Sequence, residues 1–174
     1  MSGSTVSAED DPRGRAADLV EELRAAADEL ERADRQVAGV GEDELAELAD
    51  AYGELTDLFD RYEEEVTGDG DFRTFIEFQE AVAKFTERLG DVRHREVFEE
   101  VDDLLQQRRL TESDWERVRE TLAPVREDVA LVEDRDAARE RYRDARATVD
   151  REVDALAERI ADLERLRRLG EADL

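Results

Sequence analysis

The chain has no cysteine, one histidine, one lysine and two prolines in 174 residues. Without thiols, disulfides, thiolate zinc sites and cysteine nucleophiles are excluded. A single imidazole, His94, cannot make a two-histidine metal motif, and its VRHREV surroundings place it as a solvated helix residue. There is no glycine-rich phosphate loop, no strand pattern to seat one, and no ExxH arrangement of the kind helical di-iron bundles use. No cofactor is therefore expected. No run approaches the ~20 apolar residues that span a bilayer. The first fourteen residues, MSGSTVSAEDDPRG, lack the apolar centre of a signal segment. The expectation is a cytoplasmic protein whose residues 1–14 form a disordered tail.

What is abundant is negative charge. Fifty-one acidic residues face 26 basic ones, for a formal net charge of -25, and all the basic residues but Lys84 are arginine. Self-repulsion of this size loosens a compact fold at low salt, but at about 1 M salt the Debye length falls to roughly 3 Å and the penalty is screened. A salt-rich cytoplasm is the simplest setting. The same charge repels nucleic-acid phosphates and anionic membranes from the molecule as a whole.

From residue 15 onward the apolar residues recur with a helical period. Over about 15 to 38, Leu19, Leu23, Ala26, Leu30, Ala33 and Val37 step by four and three, a heptad seam. The AGVG turn ends that helix, and a second, about 42 to 67, repeats the seam from Leu45 to Val66. Two such helices joined by a short turn predict an antiparallel hairpin. A fourth helix is expected over roughly 91 to 108, with Val97, Phe98, Val101, Leu104 and Leu105 on a broad apolar side. A fifth starts at LTESDWE, either with Thr111 as N-cap between the staple positions Leu110 and Trp115, or with a Ser113–Glu116 capping box. Its register runs on past Pro124, which predicts a kink or a break with Pro124 in the first turn of a new helix.

The third helix lies in GDGDFRTFIEFQEAVAKF, which holds four of the six phenylalanines. Phe75, Phe78, Val82, Phe85 and Leu89 share one face and read as core, with Ile76 and Lys84 beside the stripe. Phe72, at the loop edge, is a candidate partner anchor. Counted from Asp69, the segment imitates a calcium loop through Asp71, Glu77 and Glu80, but Arg73 and Thr74 occupy positions that need a ligand and a glycine. Capping by Asp71, with a Thr74–Glu77 box one turn later, accounts for the same residues without a metal. The many other carboxylates lie mainly on polar helix faces, where nothing shifts their pKa toward general acid work.

The remainder to Leu169 reads as one long charged helix with Tyr142, Ala145, Val149, Val153, Leu156, Ile160 and Leu163 along its seam. Taken from residue 124 it makes a rod of roughly 69 Å, too long to bury its seam on a compact body. It must pair, either with the first helix in an antiparallel stem or with another chain. Charge divides the chain in the same way: residues 1–134 carry a net -24, residues 135–168 a net +1. The predicted architecture is all-α, an antiparallel helical bundle with a long C-terminal coiled-coil helix. It comprises a tail (1–14), an acidic bundle (15–132) and a coiled-coil arm (133–174).

The segments GDFRTFIEFQEAVAKF, QQRRLTESDWERVRETLAPV and IADLERLRRLGEADL together resemble a haloarchaeal family of helical, coiled-coil proteins known as a domain of unknown function. The resemblance implies a halophilic archaeal cytoplasm, brings no catalytic residues, and implies that the helical portion continues into a longer architecture. The expected function is a non-enzymatic scaffold that holds itself or another helical protein through the arm. The candidate contacts are Tyr142, Val149, Val153, Leu156, Ile160 and Leu163, with Phe72 apart from them. The alternative is an accessory module on nucleic acid, resembling chromosome-maintenance coiled coils, with Arg139, Arg141, Arg143 and Arg146 of RERYRDAR as contacts.

Overall fold

The computed structural model describes residues 11–172. Among them the chain forms α1 (Pro12–Val40), α2 (Glu42–Val66), α3 (Phe72–Arg88), α4 (Arg95–Leu105), α5 (Glu112–Thr121) and α6 (Ala123–Ala172). No strand forms among these residues; Thr67 and Leu110 make one isolated bridge. The all-α architecture with a long last helix is as the periodicity predicts.

Two compact units share these helices: one is residues 35–134, and the other joins the chain up to Asp34 with the chain from Arg135 onward. The first part of α1, expected within the acidic bundle, thus belongs with the last helix. Its start also differs from expectation. Pro12 occupies the first helical position and the Asp11 carboxylate accepts from the Arg13 amide at 3.2 Å, so residues 12–14 are helix rather than tail. Residues 1–10 of the expected tail lie outside the described residues.

In the 35–134 unit the predicted stripes converge. Leu48, Leu55 and Phe59 of α2, Phe78, Val82 and Phe85 of α3, Phe98, Val101 and Leu105 of α4, and Trp115 and Val118 of α5 are all buried in one core. Trp115 is its centre, with its ring 5.1 Å from Phe59 edge-on and 5.8 Å from Phe78. Its indole N–H, which must find an acceptor once buried, donates to Thr67 Oγ1 at 2.8 Å. Phe75 is half-buried and packs against this core, Phe72 stands outside it, and Lys84 is exposed.

Local signals set the helix limits. Thr111 caps α5 in a reciprocal box with Asp114, flanked by buried Leu110 and Trp115, so the first of the two predicted starts is the one used. Leu122 separates α5 from α6, and Pro124 sits in the first turn of the new helix. Helix α4 is shorter than expected at both ends. At its start Arg95 turns back to donate to the carbonyls of Leu89 and Gly90 at 2.9 and 3.0 Å, which fixes 89–94 as a turn. At its end the Gln79 side chain donates to Leu105 and Gln107 carbonyls at 3.0 and 2.8 Å, while Gln106 returns a bond to Gln79 O. These side-chain bonds take up the carbonyls of the turns that flank α4.

Candidate interaction surface

The second unit is a pair of helical segments, α1 up to Asp34 and α6 from Arg135. Their seams place alanine where the backbones approach: Ala26, Ala33 and Ala138 are buried, while Leu19, Leu23 and Leu30 are half-buried. Two ion pairs fix the direction. Arg15 meets Glu152 at 3.6 Å and Arg141 meets Glu29, so advancing along α1 means retreating along α6. The segments are antiparallel, which resolves one of the two pairings the sequence left open.

The predicted arm residues separate under this geometry. Tyr142, Val149 and Leu156 are half-buried, and Leu156 lines a shallow cleft with Asp11, Pro12 and Arg15. Val153, Ile160 and Leu163 are 58, 57 and 58 % exposed, and Leu166 and Leu169 beyond them 63 and 59 %. Because 160 follows 142, 149 and 156 at helical spacing, Ile160 and then Leu163 continue the covered stripe past the described start of α1. Leu166 and Leu169 were not among the predicted contacts. Their steps of three drift off the heptad seam, although a helical-wheel reading would have set Leu166 beside Leu163.

Of the arginines of RERYRDAR, Arg141 is engaged by Glu29 and Arg139 is half-buried; Arg143 and Arg146 are exposed. Phe72 is 75 % exposed at the start of α3, where it borders an open cleft with Phe75, Ile76 and Arg108. Three of the residues that imitate a calcium loop are otherwise occupied. Asp71 caps α3, accepting from the Arg73 amide at 3.3 Å and the Thr74 hydroxyl at 3.2 Å; Asp69 pairs with Arg109 and Glu77 with Arg73, each at 3.3 Å. Thr74 therefore serves the Asp71 cap rather than opening a box with Glu77. Among the described residues no group of three or more His, Asp or Glu is placed to hold a metal.

One polar cluster has no counterpart in the sequence reading. His94 is not a solvated helix residue but the left-handed N-cap of α4, at φ 61°. Its Nε2 and the Arg93 Nε each lie 2.6 Å from Asp128 Oδ2 on the first turns of α6. Burial pushes the Asp128 carboxyl up, but the hydrogen bonds and charges of Arg93 and His94 outweigh it and hold the pKa below its ordinary value. Two residues 34 apart with no shared periodicity left no signal to find. A second polar feature is an open groove of about 680 Å³ beside Trp115, lined by Glu63, Glu64, Glu112 and Glu116, where Arg119 pairs with Glu63. No helix among the described residues is long and apolar enough to cross a membrane.

Compared with known proteins, residues 23–174 match one family model, described as Domain of unknown function (DUF7118). No curated protein and no solved structure matches the chain.

Proposed function

Since the chain belongs to this DUF7118 family, whose description assigns no activity, we propose that it is a non-enzymatic helical interaction protein that holds a partner along the last turns of α6. The observation that carries this reading is the exposed run of Val153, Ile160, Leu163, Leu166 and Leu169. Scattered surface leucines need no explanation, but Val153, Ile160 and Leu163 lie on one helix face with Leu166 at its edge, and that does; Leu169 has drifted to the far side. Covering Val153, Ile160, Leu163 and Leu166 is worth at most roughly 6–12 kcal/mol, against an association cost on the order of 4–15 kcal/mol. The balance favours reversible rather than obligate association.

The excess of acid over base, net -25, supports placing this protein in a salt-rich archaeal cytoplasm, where like charges of two partners are screened. The nucleic-acid alternative has less to support it. Arg141 already has a carboxylate partner, and exposed Arg143 and Arg146 alternate with Asp144 along the same turns.

The test is the double variant Ile160→Asp, Leu163→Asp. Both side chains are largely exposed, so helical circular dichroism and the unfolding midpoint are expected to stay near wild type. Chemical cross-linking in molar potassium chloride is expected to trap wild-type protein with itself or another chain and to leave the variant untrapped. Equal trapping of the two proteins refutes the reading.

A further inference from the structure

Resting on that reading, we infer that the occupant of the exposed stripe is a second copy of this chain, its α6 tail running antiparallel to the first. The α1 segment covers α6 only part of the way, since Asp11 and Pro12 share a cleft with Ala155, Leu156 and Arg159. Ile160 and Leu163 lie beyond that cleft on the same stripe and are mostly exposed.

Charge favours a second copy over a membrane or a polyanion, and fixes its direction. Residues 1–134 carry net -24, but residues 151–172 carry five arginines against six acidic residues, so here two copies meet with little repulsion. Within this stretch the charges are unevenly distributed: residues 152–164 hold five acids and one arginine, Arg159, whereas residues 165–172 hold three arginines and one acid, Glu171. Glu152, Asp154, Glu158, Asp162 and Glu164 precede Arg165, Arg167 and Arg168. A parallel pair sets the three arginines of one copy against those of the other, which is destabilising at neighbouring helix positions. An antiparallel pair centred between Ile160 and Leu163 sets Ile160 opposite Leu163 of the second copy on both sides of the centre. It also lays Arg165 to Arg168 alongside the stretch from Asp154 to Glu158. Antiparallel dipoles add in the same sense.

In such a pair the two Ile160 positions are about 5 Å apart along the axis and the two Val153 positions about 25 Å apart, from the 1.5 Å rise per residue. Because the chain has no cysteine, single cysteines report this directly. Full-length Ile160→Cys and Val153→Cys proteins, oxidised in molar potassium chloride, are expected to behave differently: Ile160→Cys forms a disulfide-linked dimer and Val153→Cys stays at least tenfold less linked. Equal linkage of both variants means a parallel pair and overturns the orientation. Absence of linked dimer in both, with the wild-type mass monomeric, overturns self-docking. If the Ile160→Asp, Leu163→Asp variant still loses a different cross-linked chain in that case, the interaction reading survives while this inference falls.

Discussion

Three residues decide local geometry in ways that substitution exposes. At Gly70 a Cβ would lie 1.9 Å from the Glu65 carbonyl oxygen, where the turn after α2 folds back on the helix end. Backbone cannot yield as a flexible side chain does. Gly70→Ala is therefore expected to lower stability by about 1–3 kcal/mol, read as a lower urea midpoint at unchanged slope. Asp128 is the second such residue, accepting from both Arg93 and His94. Its depressed pKa means that its contribution is present above the unfolded value, about 3.9, and is lost as pH falls through the lower folded value. Asp128→Asn is expected to cost about 1–3 kcal/mol at neutral pH and to lose less stability than wild type on acidification below about pH 4. The third, His94, holds a left-handed conformation that few non-glycine residues adopt, and its ring is tied to Asp128. Neither Gly70 nor the Asp128 cluster was legible in the sequence. A close backbone approach and a contact across 34 residues leave no periodic mark.

Periodicity and capping carry most of the information at the scale of the helices. The stripe Phe78, Val82, Phe85 was readable as core because three- and four-residue steps put the rings on one face, and all three are buried. The start of α5 was readable because Thr111 and Leu110 are short-range signals, and Thr111→Ala is expected to cost about 1 kcal/mol in thermal or urea unfolding. Truncating Trp115 at the centre of the same core is expected to cost about 3–5 kcal/mol, enough to unfold a marginal unit. The limits of α4 were misread because side-chain bonds set them: Arg95, its own first residue, ties back to the Leu89 and Gly90 carbonyls of the preceding turn, and Gln79 of α3 binds the Leu105 and Gln107 carbonyls at its end. Hydrophobic pattern alone extends a helix until a proline or glycine stops it. The partner of α6 was undetermined for a related reason: the seam from Tyr142 to Leu163 is compatible with α1 or with another chain. Ion pairs Arg15–Glu152 and Arg141–Glu29 distinguish the two for the covered part.

Over the whole molecule, electrostatics and one uncovered apolar run set the behaviour. With a net charge of -25, lowering the salt lengthens the Debye screening distance from roughly 3 Å at 1 M to about 30 Å at 0.01 M. Helical circular dichroism is expected to fall on dialysis from molar potassium chloride to millimolar buffer and to recover on return. A signal independent of salt contradicts the salt-rich setting. Self-association should weaken over the same interval, since two acidic bodies repel more strongly as screening is lost. The most direct test is light scattering coupled to size exclusion in molar potassium chloride, across a hundredfold range of protein concentration, for wild type and Ile160→Asp, Leu163→Asp. The wild-type mass is expected to rise from one chain toward two, while the variant stays at one. A wild-type mass of one chain at every concentration, or a variant that dimerises equally well, contradicts it.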